Sequence, residues 1–396
     1  MSLKTLIHLI AAARPNFMKI APLYHALKRE RWAKAIIVHT GQHYDLNMSD
    51  AFFHDLRLPE PDLHLGIGSG THAEQTGQVM IAYEKALLET NPDLVVVVGD
   101  VNSTVACTLA ASKISYKSIS TTNPTEPTNS TNPMNSINPI NRERPLIAHL
   151  EAGLRSFDRS MPEEINRLVT DALADVLWTP SPDADENLIR EGISPDKIHR
   201  VGNIMIDSLE MLRQIIEEQA AYKEFGLEPR DYGVVTLHRP SNVDDLKALK
   251  ELFAVLSRIT RRIPLVFPVH PRTRKNLEQA GLMSSLTSTN GLLLLEPLNY
   301  TRFMNLVFNC QFVITDSGGI QEETTYLGIP CLTLRPNTER PVTIHQGTNR
   351  LCKLEDVENQ VNNVLSGQIG QAEAIQFWDG NTADRVVQSI KNLLSV

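Results

Sequence analysis

Three carboxylates stand at positions where a parallel α/β fold presents side chains to ligands. Asp100 follows the apolar run 94–98, Glu151 follows the run 146–150, and Glu163 opens a helix-like stretch. Ligands of open parallel sheets bind beyond the carboxyl ends of the strands, so we expect these side chains to share one face of a domain. A carboxylate partly shielded from water can act as a general acid or base. Alternatively, Asp100 caps the next helix and Glu163 only complements a helix dipole.

The stretch 316–323 combines the features of an anion site. Ser317, Gly318 and Gly319 lead from a predicted strand into a helix, whose free backbone N–H groups and positive dipole end attract phosphate. Glu323 lies one to two turns further along the helix and would reach ribose hydroxyls. The stretch therefore favours a nucleotide with two phosphates. The alternative is purely structural, with Ser317 as a helix cap and the glycines allowing close packing.

Basic and imidazole side chains follow other predicted strands or lie early in the helices after them. The set comprises Arg14, Lys19, His43, Arg167, His238 and His270. Arg14 and Lys19 could neutralise a diphosphate held by the opposite domain, although an isolated basic pair is more often a solvated helix start. A single histidine after a strand is usually structural, but three of them favour a ligand site. The H-E-x-x-H pattern is absent from the sequence, so no metal site is expected.

Short apolar runs alternate with helix-period segments along the chain, which is typical of parallel α/β units. The predicted fold class is α/β, with two Rossmann-like doubly wound domains. We expect an N-terminal domain over residues 1–202, a C-terminal nucleotide-binding domain over 203–375, and an amphipathic helix within 376–396 that crosses back onto the first domain. Strands are predicted at 5–10, 35–39, 94–98, 146–150, 176–179, 233–237, 264–269, 292–295, 312–315 and 331–334.

The composition excludes several classes of protein and partner. The chain has 396 residues, of which 42% are hydrophobic and 21% charged, as expected of a folded protein with two or three domains. A net charge of −8 does not favour nucleic acid, and no apolar run is long enough for a membrane helix. Four widely spaced cysteines without a C-x-x-C motif suggest a reduced, cytoplasmic protein. The Asn- and Pro-rich segment 118–141 is predicted to be a surface loop insertion.

Several long motifs follow one another in a fixed order that covers nearly the whole chain apart from 118–141. They are Arg14-Pro15-Asn16-Phe17-Met18-Lys19, Gly41-Gln42-His43, Gly99-Asp100, His149-Leu150-Glu151-Ala152-Gly153-Leu154-Arg155, Pro162-Glu163-Glu164-Ile165-Asn166-Arg167, His238-Arg239, the stretch 316–323 and Thr338-Glu339-Arg340-Pro341. This set closely resembles the non-hydrolysing UDP-N-acetylglucosamine 2-epimerases. The resemblance implies a GT-B arrangement, in which two Rossmann-like domains face each other across a cleft, and usually a homodimer. It also implies interconversion of UDP-GlcNAc and UDP-ManNAc without a cofactor.

The resemblance also assigns roles to residues. Asp100, Glu151 and Glu163 match the catalytic carboxylates of the family, and we group His238 with them although it matches a nucleotide contact. The matching nucleotide contacts are otherwise Arg14, Lys19, Ser317, Gly318 and Glu323, and we add His43, Arg167, His270 and Gly319 to the substrate-binding set. The C2 hydrogen of the sugar is only weakly acidic, so loss of UDP from C1 together with the C2 proton, followed by re-addition, is the plausible route. Which carboxylate removes the proton and which returns it stays open.

The same nucleotide site is also compatible with other substrates and other activities. Pro240 follows Arg239, and the segment after His43 is two residues longer than in many bacterial relatives, which leaves room for a UDP-2,3-diacetamido sugar or its uronic acid. A hydrolysing epimerase or a GT-B glycosyltransferase would pass the sugar to water or to an acceptor. An inactive nucleotide-sugar sensor is a further alternative, against which the three carboxylates argue.

Overall fold

A computed structural model of the protein describes residues 4–41, 55–116, 143–368 and 372–395. The predicted insertion at 118–141 and His43 lie outside these residues. Parallel strands form two sheets, and the first has the order β3-β2-β1-β4-β5-β6-β7. Its strands are β1 Thr5–Ala11, β2 Ala33–His39, β3 Leu63–His64, β4 Leu94–Val98, β5 Leu146–Leu150, β6 Val176–Thr179 and β7 Ile198–Arg200.

The second sheet repeats this topology with the order β10-β9-β8-β11-β12-β13. Its strands are β8 Gly233–Thr236, β9 Leu265–Pro268, β10 Leu292–Leu295, β11 Phe312–Thr315, β12 Cys331–Thr333 and β13 Asn349–Leu351. In both sheets the second strand along the chain lies on one side of the first strand and the fourth lies on the other. The α/β class and the pair of parallel sheets predicted from the sequence are confirmed.

Helices connect the strands and cover both faces of the sheets. They are α1 Arg14–Lys28, α2 His72–Thr90, α3 Asn102–Lys113, α4 Pro162–Leu173, α5 Pro182–Arg190, α6 Ile204–Glu218, α7 Ala221–Glu224, α8 Pro240–Val243, α9 Leu246–Ile259, α10 Pro271–Gln279, α11 Met283–Thr287, α12 Tyr300–Asn309, α13 Gly318–Leu327, α14 Val342–His345, α15 Val357–Leu365 and α16 Thr382–Leu394. Short 3₁₀ helices occur at Pro195–Lys197 and Leu354–Asp356. Because the helices cover both faces, central strands such as β4 are apolar and buried along their whole length.

Helix α6 is an element that the sequence prediction omitted, because 202–203 was interpreted only as the limit between the two domains. Asn203 caps this helix by accepting a hydrogen bond from the backbone N–H of Met205 at 2.9 Å. The Ser208 hydroxyl donates to the Met18 carbonyl in α1, and the apolar face of α6 belongs to a core cluster that reaches both sheets. The two halves of the protein are therefore packed together through α6. The expected domain limits at 202 and 375 stay a prediction.

The last helix, α16, lies against the first half of the protein. The indole N–H of Trp178 in β6 donates to Ser389 Oγ at 2.9 Å, and Lys391 Nζ lies 3.0 Å from a carboxylate oxygen of Glu30. Apolar residues of α16 pack into the same core cluster as β1. This helix thus contributes to the packing of the elements that carry Lys19 and Asp100.

The short strands β3, β7 and β13 were not predicted, because two or three residues at a sheet edge give little hydrophobic pattern. None of the described helices combines the length and the hydropathy that a transmembrane segment needs. All four cysteines are buried free thiols, and burial raises the pKa of the Cys331 thiol to about 11.

Candidate functional site

The turn after β4 brings together three groups from the first sheet. Gly99 has φ +65°, and a Cβ atom at this position would lie 3.0 Å from Lys19 Nζ and 3.9 Å from Glu151 Oε2. Lys19 forms an ion pair with Glu151, and both side chains are buried. Asn16 donates to the Val98 carbonyl at 3.1 Å and so ties the start of α1 to the end of β4. Glycine at position 99 therefore allows the Lys19–Glu151 pair to approach the backbone closely.

Asp100 is held by helix α4. Arg167 donates from Nε and from a terminal nitrogen to Asp100 Oδ2, at 3.0 and 2.6 Å, and Asn166 donates to the Asp100 carbonyl at 2.9 Å. Burial raises the pKa of Asp100, but the positive charges of Arg167, Lys19 and Arg340 outweigh burial, so the pKa lies below its ordinary value. Asp100 is therefore an ionised carboxylate at neutral pH.

The two adjacent glutamates of α4 occupy different environments. Glu164 is buried and accepts from the backbone N–H groups of Ser156 and Phe157, at 3.0 and 2.9 Å, and from Arg167 at 2.6 Å. Glu163 is half-buried at the start of the helix, and its negative charge acts on Arg239 of the other half. Glu164 therefore has a scaffolding role, whereas Glu163 lies close enough to the second half for its charge to act on Arg239.

Arg167 was predicted to bind substrate, but protein carboxylates occupy its hydrogen bonds. Besides Asp100, it donates to Glu164 Oε2 at 2.6 Å and lies 3.6 Å from Glu339 of the second half. Its side chain is only 5% exposed. The contacts of Arg167 are those of a group that orients Asp100, while direct contact with substrate stays a prediction.

In the second sheet, Asp316 organises the turn after β11. Its carboxylate accepts hydrogen bonds from the backbone N–H groups of His238 and Arg239, at 3.1 and 2.9 Å, and from the side-chain amide of Asn242 at 3.0 Å. It also lies 2.9 Å from Nδ1 of the His238 ring. Burial raises the pKa of Asp316, but these hydrogen bonds and the charge of His238 lower it overall. Asp316 therefore fixes the imidazole of His238, which is 40% exposed at the same edge.

His270 lies beside His238, with 5.5 Å between the ring centroids. Its Nδ1 accepts from the backbone N–H of Arg272 at 3.2 Å and caps helix α10. Burial and the neighbouring His238 lower the pKa of His270, so its imidazole is uncharged at pH 7. The two histidines thus share one end of the second sheet, as the sequence predicted for residues that follow β8 and β9.

Helix α13 starts at Gly318 beside two arginines that the sequence analysis left without a role. A Cβ atom at Gly318 would lie 2.8 Å from a terminal nitrogen of Arg340 and 3.9 Å from one of Arg335, whereas at Gly319 it would meet nothing within 4 Å. The hydroxyl of Ser317 makes no capping hydrogen bond to the helix. The N-terminus of α13 therefore combines free backbone N–H groups with two guanidinium groups, which is the chemistry of a phosphate site.

Glu339 sits among arginines from both halves. Arg335 donates to its Oε2 at 2.9 Å, and Arg340, Arg167 and Arg239 lie at 3.6, 3.6 and 4.0 Å from its carboxylate oxygens. Burial raises the pKa of Glu339, but Arg340 and Arg335 outweigh burial and lower it to about 2. The position of Arg335 directly after a strand-like run, close to Thr338-Glu339-Arg340-Pro341, is the signal that could have identified this cluster.

Glu322 and Glu323 of α13 are both buried but contact different groups. Glu323 accepts from the Tyr300 hydroxyl at 2.6 Å. Glu322 accepts from Asn203 at 3.0 Å and lies 2.8 Å from Arg340 Nε. Burial raises the pKa of Glu322, and although Arg340 opposes this, the nearby charge of Glu151 adds to it. The carboxylates of the two halves therefore meet around Lys19 and Arg340.

The structure brings most of the predicted site residues to two facing edges. The carboxyl ends of the strands of the first sheet carry one group, namely Lys19, Asp100, Glu151, Glu163 and Arg167. Those of the second sheet carry the other group, namely His238, His270, Ser317, Gly318, Gly319 and Glu323. Arg14 begins α1, but its side chain, like the whole of His43, is outside the described part of the molecule. In residues 4–41, 55–116, 143–368 and 372–395, no cluster of His, Cys, Asp and Glu is arranged to hold a metal ion.

Comparison with known proteins decides the family. A family model described as UDP-N-acetylglucosamine 2-epimerase matches residues 25–119 and 141–391. A UDP-N-acetylglucosamine 2-epimerase of Methanococcus maripaludis is 38% identical over 391 residues, which are 97% of this chain and 98% of that protein. The chain belongs to this family. A family relative in Pseudomonas aeruginosa, named UDP-2,3-diacetamido-2,3-dideoxy-D-glucuronate 2-epimerase, is 35% identical over 97% of this chain and 99% of its own length.

Solved structures agree with this membership of the epimerase family. The crystal structure of Methanocaldococcus jannaschii UDP-GlcNAc 2-epimerase in complex with UDP-GlcNAc and UDP has a TM-score of 0.81 at 37% identity, covering 98% of this chain and 100% of that chain. A putative UDP-N-acetylglucosamine 2-epimerase from Listeria monocytogenes also has a TM-score of 0.81, at 29% identity, with 99% and 97% covered. The GT-B arrangement expected from the sequence is therefore confirmed.

Proposed function

We propose that the protein is a non-hydrolysing epimerase that interconverts UDP-GlcNAc and UDP-ManNAc by elimination and re-addition of UDP. One observation carries the proposal: Arg340 lies beside the start of α13 and its charge also lowers the pKa of Asp100 in the first half. The anion site and the carboxylates are therefore close enough to act on one nucleotide sugar. The M. jannaschii relative, crystallised with UDP-GlcNAc and UDP, supports this choice of ligand.

The second half would hold the UDP group. The backbone N–H groups of Gly318 and Gly319, the Ser317 hydroxyl and the guanidinium groups of Arg335 and Arg340 offer hydrogen bonds and positive charge to the two phosphates. The Ser317 N–H itself donates to Thr315 Oγ1. The negative charge of the diphosphate increases when the bond to C1 breaks. Donors that already point at this position stabilise the departing group without reorganising. Re-addition of UDP requires that the same donors keep it bound between the two steps.

The first half would handle the proton at C2. Asp100 is ionised and fixed by Arg167, which is the state and the orientation that a base requires. Glu151 is buried with Oε2 on Lys19, while its Oε1 has no hydrogen-bond partner among the described residues. Glu163 faces the cleft at the start of α4. We assign proton transfer to Asp100, Glu151 and Glu163 as a group, with one carboxylate needed on each face of the ring.

Loss of UDP from C1 and of the proton from C2 would give a 2-acetamidoglucal intermediate. No carbonyl adjoins C2 to stabilise a carbanion, so departure of the leaving group must accompany removal of the proton. Re-addition of UDP at C1 with protonation of C2 from the opposite face then inverts C2. Every bond that breaks in the first step forms again in the second, so the reaction needs no redox cofactor.

Incubation with UDP-GlcNAc in deuterated water tests the proposal. We expect UDP-ManNAc with deuterium at C2, observed by NMR, and free UDP in much smaller amount than the epimer. Accumulation of free ManNAc and UDP would instead identify a hydrolysing epimerase. A sugar transferred to an acceptor with C2 unlabelled would identify a glycosyltransferase. Asp384→Asn serves as a control, because this exposed carboxylate pairs only with Arg29 at the surface and lies in α16, away from the site.

The similarity to one relative supports a second candidate substrate. The P. aeruginosa protein named for UDP-2,3-diacetamido-2,3-dideoxy-D-glucuronate is 35% identical over nearly the whole chain, close to the 38% of the M. maripaludis protein named for UDP-GlcNAc. The elimination chemistry is the same for both sugars, which differ at C3 and C6. The deuterium experiment with each nucleotide sugar separately, compared by kcat/KM, distinguishes them. A ratio above about 100 corresponds to roughly 3 kcal/mol of discrimination and identifies the substrate.

A further inference from the structure

Behind the Gly99–Asp100 turn lies a buried histidine whose hydrogen-bond partners among the described residues are Gly99 and Asp171. His149 in β5 is fully buried, and its Nε2 lies 2.8 Å from the Gly99 carbonyl oxygen. Its Nδ1 lies 2.6 Å from Asp171 Oδ1 in α4. A carbonyl oxygen only accepts hydrogen bonds, so Nε2 carries a hydrogen and donates it to Gly99.

The partners of Asp171 hold the other end of this contact. Asp171 Oδ2 accepts from the Gly153 backbone N–H at 3.1 Å and lies 2.7 Å from a terminal nitrogen of Arg155. Although burial raises the pKa of Asp171, its contacts with His149 and Arg155 lower it overall. The imidazole of His149 is thus held between the Gly99 carbonyl and a carboxylate that Gly153 and Arg155 keep in place.

The spacing of residues in α4 links this pair to Asp100. Glu163, Arg167 and Asp171 are four residues apart and therefore lie on one face of the helix. Arg167 holds the Asp100 carboxylate, and Asp171 holds the Gly99 carbonyl through His149. One helix thus fixes both residues of the turn and also presents Glu163 at its first turn.

We propose that His149 and Asp171 form a positioning pair, in which a buried imidazole fixes the Gly99 carbonyl and thereby the direction of the Asp100 carboxylate. The proposal rests on the proposed function of Asp100 in proton transfer. The turn needs this support because Gly99 adopts φ +65°, a conformation that glycine can leave at little cost.

The first test measures deuterium incorporation at C2 together with UDP affinity. For His149→Phe, which removes both hydrogen bonds, we expect incorporation to fall about 10- to 100-fold, as for an active-site group displaced by about 1 Å. The Kd for UDP should change less than about twofold, because both hydrogen-bond partners of His149, Gly99 and Asp171, belong to the first half. Thr170→Val is the matched control, since Thr170 is also buried in α4 and its hydroxyl has no hydrogen-bond partner among the described residues. It should leave both quantities unchanged.

Asp171→Asn tests rescue by a conservative change. The new amide can accept from Gly153 and Arg155 and can donate to Nδ1, so His149 keeps its hydrogen on Nε2 and its bond to Gly99. We expect incorporation to fall only about threefold, because the hydrogen bond that fixes the Gly99 carbonyl keeps its position. A loss as large as that of His149→Phe would overturn the positioning role, as would His149→Phe activity within about twofold of the unaltered protein.

A spectroscopic test covers the case in which His149→Phe does not fold. In protein labelled with ¹⁵N-histidine, we expect one ring whose Nε2 carries a slowly exchanging hydrogen, because this N–H is buried and donates to the Gly99 carbonyl. Asp171→Asn should shift this signal but keep it, and absence of a protonated, slowly exchanging Nε2 from the unaltered protein overturns the proposal. If the unaltered protein incorporates no deuterium from either nucleotide sugar, the proposed function fails, and this signal still decides whether the pair exists.

Discussion

The turn after β4 and the turn after β11 occupy equivalent places in their sheets, yet they use an aspartate in opposite ways. β4 and β11 each lie beside the first strand of their sheet. In the first turn the Asp100 carboxylate is held from outside by Arg167, with 31% of its side chain exposed. In the second, the Asp316 carboxylate is fully buried and folds back onto the backbone N–H groups of His238 and Arg239.

This difference shows how the same sheet topology can provide two kinds of site. A carboxylate directed outward supplies chemistry, and other side chains must orient it. A carboxylate directed inward satisfies the backbone of its neighbours, which leaves the N–H groups at the start of α13 available for an anion. The same residue type after a central strand therefore does not predict the same role, and its hydrogen-bond partners decide between them.

The largest expected effect comes from Asp100→Asn. Because the change removes a general base but keeps the shape of the side chain, we expect kcat to fall about 1,000-fold. The Kd for UDP should stay within about twofold, since the anion site belongs to the other half. Isothermal titration with UDP and the NMR assay measure the two quantities. Equal losses of turnover and of UDP affinity would contradict the assignment of proton transfer to the first turn and of UDP binding to the second.

Glu339→Gln tests the charge cluster that connects the two turns. The pKa of Glu339 is lowered from 4.5 to about 2, so its contribution to stability is fully present above pH 4.5 and is lost as the pH falls towards 2. The shift corresponds to about 3 kcal/mol at neutral pH. We expect the variant to unfold at lower urea concentration near pH 7 and to match the unaltered protein near pH 2. A pH-independent difference would contradict this assignment.

Asp316→Asn should destabilise the second turn by about 2 kcal/mol, because it leaves buried donors with a weaker, uncharged acceptor. UDP affinity should fall with it, since His238 loses the group that fixes its ring. Urea unfolding and UDP titration give both values. Asn242→Asp, which replaces a donor to Asp316 with a second carboxylate, should weaken UDP binding in the same direction. Unchanged affinity in both variants would show that this turn does not set the anion site.

Gly318→Ala gives the smallest effect and sharpens the position of the anion site. The added methyl group would lie 2.8 Å from Arg340, which Glu322 and Glu339 hold in place. We expect UDP affinity to fall about tenfold, or roughly 1.4 kcal/mol, with less than about 0.5 kcal/mol change in unfolding free energy. If affinity is unaffected, Arg340 does not contribute to the site at Gly318.

The sequence predicted the elements whose patterns are local. Buried parallel strands such as β4 are continuous apolar runs, and the residues directly after them can be collected without knowing the fold. That is why Asp100, Glu151 and His238 could be identified as strand-end residues. The Ser-Gly-Gly start of α13 was equally accessible, because a helix N-terminus is a local feature.

The pairing of charges was not accessible to sequence reasoning. Arg167 looked like a substrate contact because nothing in its helix indicates that Asp100, some 67 positions earlier in the chain, would occupy it. Glu322 likewise pairs with Arg340, which lies in a different segment of the second half, and no local pattern indicates that pairing. Helix α6 was missed because Asn203 was interpreted only as the start of the second domain, although it also caps this helix.

The placement of α16 has a consequence for how the protein folds during synthesis. Apolar residues of this helix share a core cluster with Ile7 and Leu9 of β1. The second sheet and its helices leave the ribosome before residues 383–394, so part of the core of the first half stays uncovered until α16 has been translated. A nascent-chain chaperone would therefore protect the half that carries Asp100 while the second half is being synthesised.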